Sequence, residues 1–330
     1  MVNWGILGAG NIAKKLAADI ALIDNAQLVA VGSRSREKAS EFAKEFAVPH
    51  VHYSYEDLAK NPEVHVIYVA TPHSHHHENT LMCLENNKAV LCEKAFAVNY
   101  RQAKEMTEKA KEKGLFLMEA MWTKFLPHYN KMKSIVDSGQ LGSISSVLIN
   151  FGFRPRTPVP ARLFDPALAG GTILDIGVYN VFIAMSVLGR PDEIEAHMTP
   201  APTGIDEQCS VLFKYKNGAM AQLFSSFVAH LPTEADINGS EGRLRLTHRF
   251  YAPESTLEFY PGKMDSKQIV SFDNPQNGWG YHYEVKHVCE CLENNLKESP
   301  VMTPGNTLAL MEVLDEIRLK AGIRYDADNY

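Results

Sequence analysis

The run Val2-Asn3-Trp4-Gly5-Ile6-Leu7 leads directly into Gly8-Ala9-Gly10-Asn11-Ile12-Ala13, and from there into a stretch of helical periodicity. An apolar strand that turns through glycines into a helix has few ways to fold. A tight turn of this kind brings the backbone close to a bound phosphate, whose charge is met by free N–H groups and the positive end of the helix dipole. Gly8 and Gly10, with a small residue at Ala13, suit that approach. The plainer reading is a glycine turn with no ligand. The strand on one side and the helix on the other favour a dinucleotide site, with Gly8, Gly10, Asn11 and Ile12 facing the coenzyme.

The first third of the chain alternates strand and helix signals. Leu28 to Val31, Val64 to Ala70, Ala89 to Cys92 and Leu115 to Met118 are short apolar runs. Between them, Arg36 to Ala43, Thr80 to Glu85 and Gln102 to Lys113 read as helices, the last closed by Gly114 at the C-terminal cap. Such alternation implies a parallel sheet with right-handed crossovers. The texture changes after residue 122. A helix about His128 to Ser138 leads to a strand over Ile144 to Phe153, then to a Pro- and Gly-rich loop over Arg154 to Gly171 and a helix over Leu174 to Leu188. Strand candidates follow at Ile194 to Met198, Gln208 to Tyr215, Ala219 to Phe227, Thr233 to Asn238 and Thr256 to Tyr260, with Asn217-Gly218 as a hairpin turn. Consecutive strands without helices between them predict an antiparallel sheet. Two helices, His282 to Asn295 and Thr307 to Ala321, close the chain. A length of 330 residues fits two domains. The expected fold class is α/β, divided into a dinucleotide-binding domain over 1–122 and a substrate and oligomerisation domain over 123–330.

A net charge of −6 argues against nucleic acid or an anionic membrane as the main partner. No apolar run is expected to span a membrane. The chain enters its first strand without the basic start and cleavage site of a signal peptide, so a cytoplasmic protein is expected. Cys83, Cys92, Cys209, Cys289 and Cys291 are odd in number and lack metal-site or CxxC spacing; reduced, mostly buried thiols are expected.

An NAD-preferring fold of this kind places Asp or Glu about twenty residues beyond the glycines. Here Gly32-Ser33-Arg34-Ser35-Arg36 stands in that place, without an acid. The hydroxyl of Ser33 and the guanidinium of Arg34 suit a 2′-phosphate, so NADP is favoured and NAD stays open. Thr71-Pro72 closes a strand, where ligands of such sheets bind. His73, His75, His76 and His77 follow. Adjacent histidines on a turn point in different directions, so no metal is expected, and His76 is taken as a coenzyme contact.

Glu93-Lys94 stands at the end of the strand Ala89 to Cys92. With the glycine turn and Thr71-Pro72, it resembles the Gfo/Idh/MocA oxidoreductase family, whose motif continues Glu-Lys-Pro where this chain has Ala95. Glu119-Ala120-Met121-Trp122-Thr123-Lys124-Phe125-Leu126-Pro127, Arg162-Leu163-Phe164-Asp165-Pro166 and Gly170-Gly171-Thr172-Ile173-Leu174-Asp175-Ile176-Gly177-Val178-Tyr179 resemble its dihydrodiol dehydrogenase branch. Members of that branch are NADP-dependent and include D-xylose-oxidising enzymes. The resemblance implies an N-terminal Rossmann doubly wound parallel sheet and a C-terminal α/β domain with a large, mainly antiparallel open sheet. A homodimer or higher homo-oligomer through that sheet would bury its open face.

The resemblance also implies catalytic roles for Lys94, Asp175 and Tyr179, and coenzyme contacts at Glu93 and Lys94. Asp175 and Tyr179 lie four apart on the predicted helix and project from one face. Oxidising a secondary alcohol needs a hydride acceptor and a base for the hydroxyl proton. Tyr179 is the base if the Lys94 ammonium stabilises its phenolate; Lys94 itself is the base if burial lowers its pKa. Trp122, Phe153 and Arg162 are candidate substrate contacts, with core packing or an exposed loop charge as the plain alternatives. The function so implied is an NAD(P)-dependent oxidoreductase for a secondary hydroxyl or carbonyl of a sugar, polyol or cyclic diol. A non-enzymatic NAD(P)-sensing regulator on the same fold is the rival, and it would have no need of Lys94, Asp175 and Tyr179 together.

Overall fold

The computed structural model describes residues 1–262, 266–275 and 277–329. They form two compact units, one of residues 1–124 with 276–308, the other of 125–275 with 309–330.

The first unit is built on alternating strands and helices. In chain order these are β1 (Val2–Leu7), α1 (Asn11–Ile20), β2 (Ala26–Gly32), α2 (Arg36–Phe46), β3 (His50–His52), α3 (Tyr55–Lys60), β4 (Val66–Val69), α4 (His76–Glu85), β5 (Ala89–Glu93), α5 (Tyr100–Lys113) and β6 (Leu117–Ala120). The strands pair in parallel in the order β3-β2-β1-β4-β5-β6. Sequence order reverses between β1 and β4, which is the switch point where ligands of such sheets bind. β4 and β5 are buried along their whole length, as continuous apolar strands covered on both faces must be. The short pair β3 and α3 escapes sequence reading because His50-Val51-His52 has no apolar run. Gly114, at φ +62°, closes α5 in the left-handed conformation expected of it.

The second unit contains α6 (Pro127–Asp137), β7 (Ile144–Gly152), α7 (Val178–Leu188), β8 (Glu193–Pro200), β9 (Asp206–Lys214), β10 (Met220–Ser226), β11 (Glu234–Gly239), β12 (Gly242–Leu246), β13 (Leu257–Pro261) and β14 (Gln268–Val270). Its sheet runs β14-β13-β12-β11-β7-β10-β9-β8. Every pairing is antiparallel except β7 with β10, which is parallel, so the expectation of an antiparallel sheet holds with one correction. β7 lies in the middle of the sheet although it comes first in the chain, because β10 returns beside it from the far edge. One face is packed by α7, whose residues from Val178 to Ala184 are all buried.

α8 (His282–Glu293) belongs to the first unit, where it packs on α1 and β1. A division at 122/123 therefore does not describe residues 276–308, which return to the N-terminal fold after the second unit has been built. α9 (Pro304–Ala321) is shared between the units at Leu308 and Ala309.

Contrary to the expectation that no run could span a membrane, an 18-residue window within Pro166–Leu188 has a mean hydropathy of 1.6 and is long and apolar enough by length and composition; 78% of that window is buried inside the fold, as in the core helix of a packed domain.

Candidate active site

At the carboxyl end of β1, Gly8 adopts φ +103°, and a Cβ there would stand 2.9 Å from the Ala70 carbonyl oxygen. Only glycine fits this crossing of β1 and β4. Gly10 caps α1 with nothing within 4 Å of where its Cβ would be, and α1 has neither a side-chain cap nor an acid in its first turn. The helix therefore keeps its terminal N–H donors and its positive end for an anion, as the pyrophosphate of a dinucleotide requires. Asn11 and Ile12 begin that helix.

Ser33 is buried beyond β2, and its hydroxyl accepts from the Ser35 N–H at 3.2 Å. The Arg34 guanidinium stands over the Tyr55 ring at 5.7 Å. No carboxylate occupies the stretch from Gly32 to Arg36, so the donor set fits a phosphate better than a ribose diol alone.

At the end of β4, the Thr71 hydroxyl accepts from Asn79 at 3.1 Å, and Pro72 begins the turn that leads to α4. The histidines after it separate. His75 meets Glu78 at 2.7 Å and His77 meets Glu105 at 2.9 Å, while His73 is buried. His76 lies with Nε2 2.8 Å from the Thr71 carbonyl and Nδ1 2.8 Å from the Ala95 carbonyl. It lies between the loops after β4 and β5; burial lowers its pKa to about 4, so the neutral ring donates to one of these two carbonyls. Among the described residues no group of His, Cys, Asp and Glu could hold a metal ion.

Glu93 ends β5 with its carboxylate buried. It accepts from the Tyr68 phenol, and its other oxygen lies 3.2 Å from the Lys94 N–H. The Lys94–Ala95 peptide bond is cis. The bonds from Tyr68 and the Lys94 N–H hold Glu93 inward, and Lys94 follows it at the carboxyl end of the sheet. Trp122 is buried and stacked on Tyr281, ring centroids 4.4 Å apart, within the first unit. Sequence reading has no access to this pairing, because Tyr281 comes long after Trp122 in the chain.

In the second unit, Asp175 and Tyr179 do not share one regular α-helix. Residues Ile173–Gly177 form a π-helical turn that continues into α7 at Val178. Wide turns of this kind are a local deviation often found at functional sites. What holds this one is Asp206, at the start of β9, which sequence reading missed. Its carboxylate accepts from the Thr172 hydroxyl at 2.6 Å and from the Ile173 N–H at 2.7 Å. Burial pushes the Asp206 pKa up to about 6, against the pull of those bonds. Gly171, at φ +113°, leaves room for the same carboxylate, which any Cβ would strike.

Asp175 is buried, and its Oδ1 lies 2.9 Å from Nη1 of Arg162 on the Pro-rich loop. The structure brings these two predicted residues together. The Arg162 side chain is half exposed while that of Asp175 is nearly enclosed. Tyr179 is buried with its ring 5.0 Å from Tyr251 and 6.1 Å from Phe151. Phe153 continues the aromatic cluster, 6.3 Å from Phe151 and 5.4 Å from Phe227. Tyr251 was not singled out in the sequence, since nothing local marks it. Arg249 donates to its hydroxyl at 3.3 Å.

The elements at these positions are those of a dinucleotide-binding oxidoreductase. Residues 2–121 match the Gfo/Idh/MocA oxidoreductase family with its NAD-binding Rossmann fold, and residues 129–245 match the Gfo/Idh/MocA C-terminal domain. The chain belongs to this family. It is 36% identical over 334 residues to trans-1,2-dihydrobenzene-1,2-diol dehydrogenase of Sus scrofa, with 99% of each chain covered. It is 35% identical over 332 residues to the Homo sapiens enzyme of that name, again with 99% of each covered. Its fold is that of a 3-ketoreductase from Actinomadura kijaniata and of aldose-aldose oxidoreductase from Caulobacter crescentus. Each has a TM-score of 0.87 at 22% identity, with 97% of both chains covered. The chain is therefore an NAD(P)-binding oxidoreductase of the Gfo/Idh/MocA family, similar along its whole length to dihydrodiol dehydrogenases.

Proposed function

We propose that this protein is an NADP-preferring dehydrogenase of neutral vicinal diols, acting on a secondary hydroxyl of a cyclic diol, a sugar or a polyol. The observation that carries the reading is the joint presence of Lys94 at the end of β5 and of Asp175 and Tyr179 around the π-helical turn. These stand in a chain that matches dihydrodiol dehydrogenases from end to end.

When bound, NADP⁺ would supply the hydride acceptor; the turn at Gly8 and Gly10 and the open end of α1 would hold its pyrophosphate, and Ser33 and Arg34 its 2′-phosphate. Tyr179 takes the hydroxyl proton of the alcohol on its phenolic oxygen. In the reductive direction Tyr179 returns the proton. Asp175 orients the substrate hydroxyl, and Phe153 packs against the ring that carries it.

Two features of setting belong to the same proposal. The chain pairs with a second copy through the outer face of the large sheet, where Leu148 on β7 and Met220 on β10 are 43% and 49% exposed. It works in the reducing cytoplasm, where its five free, buried cysteines stay thiols.

The test is reduction of NADP⁺ by purified protein with trans-1,2-dihydrobenzene-1,2-diol, D-xylose, D-glucose and myo-inositol. Turnover of the diol or an aldose is expected. A protein that binds NADPH yet oxidises none of them contradicts the reading.

A further inference from the structure

Arg162 and Asp175 are placed by one piece of backbone. The Gly171 N–H donates to the Leu163 carbonyl at 2.9 Å, and the Asp175 N–H to the Gly171 carbonyl at 3.3 Å. At Gly170 a Cβ would lie 2.7 Å from the Arg162 carbonyl oxygen and 2.8 Å from that of Leu163, so the loop and the turn touch backbone to backbone. The Tyr325 phenol donates to the Gly170 carbonyl from the other side, and the buried Leu163 side chain anchors the loop beside Arg162. Arg162 therefore comes from a Pro-rich loop that is fastened to the double-glycine turn just ahead of Asp175.

The two charges are unequally exposed. The side chain of Asp175 is 9% exposed and that of Arg162 is 51% exposed. The carboxylate is nearly enclosed while the guanidinium side chain reaches solvent, so Arg162 both balances the Asp175 charge and holds one of its oxygens. What the pair does control is direction. With one Asp175 oxygen held by Nη1, the carboxylate cannot rotate freely. The Asp175 carboxylate offsets the charge of this guanidinium, which weakens it as a receptor for an anionic substrate.

Resting on the reading of Asp175 as a substrate-facing group, we infer that Arg162 is a positioning residue: it acts through Asp175, aligning the carboxylate for a neutral hydroxyl, and does not itself bind substrate.

The test is a double-mutant cycle on the full chain. Wild type, R162M, D175N and R162M/D175N are assayed for kcat and KM with trans-1,2-dihydrobenzene-1,2-diol and NADP⁺, with R162K as the charge-keeping variant. R162M is expected to lower kcat about 10- to 100-fold, the range a misplaced catalytic group costs, with the KM for NADP⁺ unchanged. R162K recovers part of the loss, because an ammonium can still reach one carboxylate oxygen. On the D175N background, R162M adds no further loss. If the two losses multiply, or if R162M leaves kcat unchanged, Arg162 does not act through Asp175 and only this inference falls. If D175N leaves kcat unchanged, or if wild type oxidises no diol or sugar, the reading of the site falls and this inference falls with it.

Discussion

The carboxylate of Asp19, in the last turn of α1, accepts a hydrogen bond from the backbone N–H of Tyr281 at 2.7 Å, across a sequence separation of 262 residues. It also accepts from the N–H groups of Trp279 at 2.8 Å and His282 at 3.0 Å. A helix start needs acceptors for its first donors, and α8 takes them from another helix instead of from its own cap residue, Tyr281. Burial raises the Asp19 pKa, but His282 and these backbone donors outweigh it and hold the carboxylate below its ordinary value. Replacing Asp19 by Ala leaves buried donors unpaired and is expected to cost about 2–4 kcal/mol in urea unfolding. Asp19→Asn keeps an acceptor and is expected to cost less. Equal losses in the two variants would show that the carboxylate is not what closes the helix.

Chemistry and coenzyme binding separate at Tyr179. K94M and Y179F are each expected to reduce kcat by about 100-fold or more, the scale of a lost acid–base group, and in Y179F NADPH affinity measured by fluorescence changes little. Near-normal turnover in both variants would remove these residues from the reaction.

Coenzyme choice rests on the end of β2. The S33D/R34A variant places an acid where a ribose diol would be read and removes the guanidinium. The ratio of kcat/KM for NADP⁺ to that for NAD⁺ is expected to fall by about 100-fold, in line with losing a charge-assisted phosphate contact worth about 1.5–3 kcal/mol. A ratio that does not move would place the 2′-phosphate elsewhere.

Glu119 on β6 is fully buried, and burial pushes its pKa up to about 7 from an ordinary value of 4.5. The folded chain then holds this proton more tightly than the unfolded chain. Stability is present at low pH and falls as pH rises from 4.5 to about 7, by about 3 kcal/mol for this group. E119Q removes the ionisation. The variant is expected to gain on wild type between pH 5 and pH 8 in urea unfolding, and parallel pH profiles would refute the assignment.

The outer sheet face is tested through Leu148 and Met220. Met220 pairs with Ser146, and Leu148 with Gln222, so the two apolar side chains stand on one face of neighbouring strands. L148E/M220E puts two charges there and is expected to shift the protein from dimer to monomer in sedimentation velocity. A wild type that sediments as a monomer would refute the paired state.

Local rules were enough for the first sheet apart from its short edge strand β3, which lacks an apolar run. The glycine turn at Gly8 and Gly10, the buried runs of β4 and β5, and the Gly114 cap are set by residues within a few positions of each other. Backbone sterics and apolar burial act at that range. Motif spacing likewise marked Lys94, Asp175 and Tyr179 as candidates, because each lies in a recognisable local string. What the string could not hold was decided by long-range packing. His76 came to lie between two loops, within reach of the Ala95 carbonyl as well as that of Thr71. The helix at Asp175 opened into a π-turn where Asp206 reached Thr172 and Ile173 from the start of β9. β7 paired in parallel with β10, and residues 276–308 returned to the first unit through Asp19. Each of these depends on a partner distant in sequence, which exists only once burial has brought the chain together.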